Sequence, residues 1–214
     1  MNELRPDVPE SPCMKQYDAS YYERWYRRSR VGVGQRDFVE RKVRLALAAA
    51  EYVLGRRARS VLDVGCGEAP WRALLKRMRP RIEYLGIESS EYAVERHGRR
   101  RNIRRGSLAD LGFMGLKGPY DLVVCADVLH YVRAPEVRTG LGTIAALTGG
   151  AAFIEAFTSA DEIEGDRADF QDRSPTVYQR LFAEAGLVPV GLHLYVTRPM
   201  HAELVALERG AGRG

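Results

Sequence analysis

Four apolar runs constrain this chain more than any other feature: "SVLDVG" from Ser60, "IEYLGIE" from Ile82, "YDLVVCAD" from Tyr120 and "GAAFIEAF" from Gly150. Each is short, rich in Val, Ile and Leu, and separated from the next by helix-like sequence. That combination describes strands buried on both faces and joined by crossover helices. Helices are expected over 70–78, 90–97, 135–147 and 174–185, the last with Pro175 in its first turn and Gly186 at its end. Before the first strand, residues 35–54 repeat apolar positions at Val39, Val43, Ala46, Leu47, Ala50, Val53 and Leu54, one face of a helix that Gly55 stops. A short strand is expected at 102–104. Near the end, "LVPVGLHLYV" and "HAELVALER" are separated only by "TRPM", too few residues for a crossover, and are expected to pair as an antiparallel hairpin. The sum is an α/β fold: a doubly wound, mostly parallel seven-stranded sheet with a C-terminal antiparallel hairpin and helices on both faces.

A length of 214 residues and a hydrophobic fraction of 45% suit one globular domain, and no apolar run is long enough to span a bilayer. The start, "MNELRPDVPESPCMKQ", has acids and prolines where an export signal has a basic start and an apolar stretch. Cys13, Cys66 and Cys125 lack C-x-x-C spacing and are expected as reduced thiols, so a cytoplasmic location is expected. The formal net charge of +5 includes one dense run, "RHGRRRNIRR", which reads either as a solvated face or as a nucleic-acid contact. Residues 1–34 are expected to form a tail and a helical extension, and 35–210 the main domain. In the extension, Tyr17, Tyr21, Tyr22 and Trp25 recur at about helical spacing as one aromatic stripe. The stripe is either core or a lid that contacts substrate.

In "SVLDVGCGEAPWR" a strand runs into Gly65-Cys66-Gly67 and then a helix, a turn that brings backbone close to a ligand. A dinucleotide fingerprint needs a third glycine where this chain has Glu68-Ala69-Pro70, and no G-K-[ST] follows for a nucleoside triphosphate. Asp63, Glu68 and Glu88 crowd the turn with acid. A carboxylate ending the second strand, as Glu88 does, suits a ribose with both hydroxyls free. A cationic, phosphate-free adenosine compound with an amino-acid tail answers these features together. Asp63 and Glu88 also admit plain capping roles.

With "VLDVGCGEAP", "YLGIESS", "RRGSLADL" and "YDLVVCADVLHYV" in order, the chain resembles the class I S-adenosylmethionine-dependent methyltransferases, small-molecule branch, over about residues 36–208. The resemblance implies S-adenosyl-L-methionine as cofactor and no metal. It implies that Gly65, Cys66 and Gly67 touch the methionine and ribose portions, that Asp63 holds the amino end, and that Glu88, with Ser89 beside it, binds the ribose. Leu108 and Ala109 would frame the adenine, Asp110 would meet its amino group, and Ala126 would also be among the cofactor-binding residues. Many relatives carry an acid where this chain has Ser107.

Transfer from a sulfonium is an in-line displacement, so alignment and water exclusion dominate. His130, just past the fourth strand, reads as a general base or as a packing residue; Asp127 and Tyr131 share its turn. The segment "TSADEIEGDRADFQDRS", with six acids and two arginines, suits a cationic or hydroxylated small acceptor over nucleic acid. The expected function is methylation of oxygen or nitrogen on a small molecule. An RNA ribose methyltransferase and a noncatalytic cofactor-binding regulator are the alternatives.

Overall fold

The computed structural model describes residues 17–28, 35–162 and 166–204. Side-chain alternation along two central strands organises it. In β1 (Ser60–Val64) and β4 (Tyr120–Ala126), Val61, Leu122 and Val124 face α2 (Arg36–Leu54) and α3 (Pro70–Met78), meeting Val43, Leu47, Trp71 and Leu75. Their neighbours Leu62, Val64, Val123 and Cys125 face the other way, onto Val137, Leu141 and Ile144 of α5 (Ala134–Leu147) and Leu181 and Phe182 of α6 (Pro175–Glu184). The two-residue period of a strand thus builds two cores, one on each face.

With β2 (Glu83–Glu88), β3 (Ile103–Arg105), β5 (Thr148–Glu155), β6 (Leu187–Gly191) and β7 (Leu194–Thr197), the sheet has seven strands in the order β3-β2-β1-β4-β5-β7-β6. The first five are parallel; β7 lies antiparallel between β5 and β6. Strand order reverses between β1 and β4, so ligands are expected at the carboxyl ends of those strands. All of the glycine turn, Glu88 and Asp127 lie at that end.

Local signals explain the helix ends. Gly55 takes the left-handed conformation that closes α2, and Pro70 begins α3. The Ser90 hydroxyl accepts from the Ala93 N–H to cap α4 (Glu91–Arg101). That helix continues past His97 to Arg101, and its last turn carries Arg99, Arg100 and Arg101, cations that suit the helix C-terminus.

The C-terminal hairpin differs from the expected one. Both its strands come from "LVPVGLHLYV", with Leu192 and His193 as the two turn residues, and "HAELVALER" is not its second strand. Residues 201–203 belong instead to α7 (Arg198–Glu203), and 205–209 lie outside the described residues. So do the N-terminal tail with Cys13, and Gly32 and Gly34. At the N-terminal side, α1 (Ala19–Tyr22) runs on into a π-helical turn, Glu23–Arg28. Among the described residues no helix is long and apolar enough to cross a membrane.

Candidate active site

At the carboxyl ends of β1, β2, β4 and β5 a cavity of about 630 Å³ opens. Its floor is the glycine turn. Gly65 and Gly67 have φ of 68° and 54°, the region that disfavours side chains. A methyl group on Gly65 would lie 2.3 Å from Val128 Cγ2, and one on Gly67 would lie 1.9 Å from the Tyr26 hydroxyl. Val128 and Tyr26 therefore pack directly against bare backbone at this turn.

Glu88 is fixed beside this floor. One carboxylate oxygen accepts the Gly67 N–H at 2.6 Å and the other the Ser90 N–H at 2.8 Å, while the side chain still lines the cavity. Burial raises its pKa, and those N–H donors oppose the rise. Asp63, at 3% exposure, accepts from the Tyr84 hydroxyl at 2.7 Å. Burial pushes it up to about 7. Cys66 is buried; its thiol is also pushed up by burial and donates to the Gly67 carbonyl, so it packs as a thiol.

Ser89, Leu108 and Ala126 line the cavity, as do Gly106 and Ser107. Ala109 and Asp110 do not. The Asp110 carboxylate turns back to accept from the Ser107 N–H and hydroxyl, each at 2.7 Å, and so closes its own turn.

The turn after β4 separates three neighbours. Asp127 and Tyr131 line the cavity; His130, at 1% exposure, does not. Its Nδ1 accepts from the Phe157 N–H at 3.2 Å, which leaves Nε2–H to donate to Asp127 Oδ1 at 3.1 Å. Both ring nitrogens are therefore engaged, and the imidazole packs against Tyr131, Phe157 and Phe170. Asp127 has φ 62° and a side chain 42% exposed, so a carboxylate faces the cavity from a strained backbone position.

The aromatic stripe is both core and wall. Tyr22 is buried and stacks on Tyr92 at 5.5 Å, while Tyr17, Tyr21, Trp25 and also Tyr26 line the cavity. The segment is tied down by Ser90 Oγ donating to the Tyr17 carbonyl at 2.6 Å and by Arg27 on Glu68 at 2.8 Å.

Among the described residues no group of three or more His, Cys, Asp or Glu is placed to hold a metal ion. A family model for a methyltransferase domain matches residues 35–192, well over half of the chain. The chain belongs to this methyltransferase family. No curated protein matches its sequence. Among solved structures, this methyltransferase resembles a SAM-dependent methyltransferase from Archaeoglobus fulgidus (17% identity, 80% of this chain and 76% of that one, TM-score 0.62). It also resembles magnesium protoporphyrin IX methyltransferase from Synechocystis PCC 6803 with bound SAM (18% identity, 84% and 91%, TM-score 0.56). The plantazolicin methyltransferase BamL, in complex with a triazolic desmethylPZN analog and SAH, shares the fold at 15% identity (78% and 74%, TM-score 0.56).

The methyltransferase cavity also has wall residues that sequence reasoning did not single out. Lys42 on α2 meets Glu155 at the end of β5 at 2.6 Å, both largely buried, and the Lys42 ammonium sits 4.3 Å from the Phe38 ring centre. Glu155 ends its apolar run as Glu88 ends its own, and that parallel was the available signal. Lys42 gave none, because one lysine on an amphipathic helix looks like any surface residue. Arg173, from the acidic segment, is buried. It donates to the carbonyls of Leu129 and Val132 and to the Tyr178 hydroxyl, clamping the turn that carries His130.

Proposed function

We propose that this methyltransferase takes S-adenosylmethionine at the glycine turn and methylates an oxygen or nitrogen of a small-molecule acceptor held between Asp127 and the aromatic segment. The carrying observation is the cradle itself. A floor that tolerates no Cβ adjoins a buried, backbone-anchored Glu88 and an underneutralised Asp63, and both acids suit a phosphate-free cation with a ribose. Two of the structures that share the fold were solved with SAM or SAH.

Glu88 would accept from the two ribose hydroxyls, Asp63 would face the amino end, and Leu108 would lie along the adenine. Bound there, the cofactor supplies an electrophilic sulfonium methyl group. The segment 17–28 covers the crevice and excludes water, which strengthens every electrostatic contact inside. Asp127 takes the proton that the acceptor releases. His130 acts through Asp127 as a positioning residue, since its N–H fixes the carboxylate and the Phe157 N–H fixes the tautomer. The arginine run lies away from the cavity wall. Arg101 there donates to the Glu68 carbonyl, and Arg105 pairs with Glu91 at 2.7 Å. This arrangement favours a small acceptor over RNA.

The test is S-adenosylhomocysteine formation across a metabolite panel, followed by variants on the acceptor found. Asp127→Asn is expected to lower kcat by about 10²–10⁴-fold with cofactor affinity retained. His130→Ala is expected to lower kcat with KM and cofactor affinity retained, and His130→Gln, whose amide can still donate to the carboxylate, to recover part of the loss. Undiminished turnover in Asp127→Asn would remove it from the chemistry, and equal loss in His130→Ala and His130→Gln would leave His130 a packing residue.

A further inference from the structure

One charged pair sits where α2 and β5 otherwise meet through apolar side chains. Lys42 shares α2 with the buried Val39, Val43 and Ala46, and Glu155 ends a strand whose Ala151 and Phe153 pack on that helix's side of the sheet. The 2.6 Å contact between them costs both groups their hydration, and apolar side chains of similar size would serve packing as well. What distinguishes the place is the cavity, which Lys42, Glu155 and Phe38 all line. Of the three N–H donors of the ammonium, one meets Glu155 Oε2, and the centre of the Phe38 ring lies 4.3 Å away. Oε1 of the same carboxylate accepts from no other described residue and is left to the cavity.

Strand order says which part of the cofactor this pair would meet. The lining residues Gly106, Ser107 and Leu108 follow β3, Glu88 ends β2, and the glycine turn follows β1. With adenine and ribose at β3 and β2, the remaining part of the molecule runs past β1 toward β4 and β5. The Asp127 N–H donates to the Glu155 carbonyl at 3.1 Å, so the ends of β4 and β5 form one continuous rim. Neighbouring strands are about 4.8 Å apart, which puts β5 about 10 Å from β1, a distance that an extended amino-acid tail and a lysine side chain span together. That tail is itself a pair of charges, one α-ammonium and one α-carboxylate. Lys42 and Glu155 offer the matching anion and cation as a neutral unit, so the two pairs can join cation to anion at both ends.

We infer that Lys42 binds the α-carboxylate of the cofactor's amino-acid tail, while Glu155 holds the Lys42 ammonium in place and accepts from the α-ammonium through Oε1. An ammonium carries three N–H donors, enough to serve Asp63 and Glu155 together. The inference rests on the cofactor reading above and deepens it. The pair makes the site selective for adenosine compounds that bear an amino acid over those that lack one.

The test titrates S-adenosylhomocysteine and 5′-methylthioadenosine, which has no amino-acid tail, calorimetrically into the full chain and into Lys42→Met, Lys42→Met/Glu155→Gln and Lys42→Arg. The unaltered chain is expected to prefer S-adenosylhomocysteine by at least about tenfold. In both Met variants that preference is expected to shrink about tenfold, with 5′-methylthioadenosine affinity held within about twofold as the report of an intact site. Lys42→Arg keeps the cation and is expected to keep part of the preference. The double variant leaves no buried charge without its partner, so it serves where Lys42→Met alone fails to fold. A preference that survives in the double variant, equal losses for the two ligands, or equal affinities in the unaltered chain each overturns the inference and leaves the cofactor reading standing. Failure of S-adenosylhomocysteine to bind the unaltered chain overturns the cofactor reading and this inference with it.

Discussion

Asp63 and Glu88 are acids that the fold leaves short of positive charge. For Asp63 the cause is burial, only partly offset by the Tyr84 hydroxyl, and its pKa rises from 3.8 to about 7. Between those values the folded chain holds a proton that the unfolded chain releases. This group's contribution to stability therefore declines as pH rises through that window. A cationic ligand reverses the balance by favouring the carboxylate. Affinity for S-adenosylmethionine is accordingly expected to rise from pH 5 to about 7, by at most about tenfold per pH unit for one proton, with proton release visible in buffers of different ionisation enthalpy. Asp63→Asn should flatten that dependence; a flat profile in the unaltered protein would separate Asp63 from the ligand. The sequence made these acids legible because they end apolar runs next to glycine. It could not show that the Asp110 carboxylate folds back on Ser107, or that both nitrogens of His130 are spoken for. Those outcomes depend on short-range hydrogen bonds that spacing does not encode.

At the scale of elements, the strands and helices from 60 to 155 follow closely from apolar runs and capping residues. α3 begins at Pro70 and ends at Met78 as its pattern implies. The hairpin was illegible for a physical reason. A two-residue turn between strands that twist this way needs positive φ at both positions, normally advertised by Asn or Gly. Here Leu192 and His193 adopt φ of 50° and 63°, so "LVPVGLHLYV" reads as one strand. His193 earns its place by packing on Phe153, whereas Leu192 is 72% exposed. Leu192→Asn is therefore expected to stabilise the fold by about 0.5–1 kcal/mol, since Asn tolerates the left-handed region and no burial is lost. Urea unfolding measures this directly, and a loss of stability would mean the Leu192 side chain does more than its exposure indicates. The N-terminal aromatics were similarly half legible: their spacing marked a stripe, but the π-helical turn that brings Tyr26 onto Gly67 has no sequence signal of its own.

For the whole molecule, the mostly parallel sheet gathers the glycine turn, Glu88 and Asp127 at one end, and segment 17–28 lies across them. Its ties among the described residues include a hydroxyl on the Tyr17 carbonyl, the Arg27–Glu68 pair, and Tyr22 stacked on Tyr92. The Arg27–Glu68 pair is partly exposed and contributes at most about 1 kcal/mol. Because the segment walls the cavity, its amides are expected to gain protection from exchange when S-adenosylhomocysteine fills the space beneath them. Protection unchanged by ligand would make the segment a fixed wall. The central claim, that a ribose-bearing sulfonium compound sits on this floor and is gripped by Glu88, is tested most directly by titrating S-adenosylmethionine calorimetrically into the unaltered chain and Glu88→Ala. The account predicts one site per chain and a loss of about 1–3 kcal/mol of binding free energy in the variant. No binding to the unaltered chain, or equal affinity in both, would contradict it.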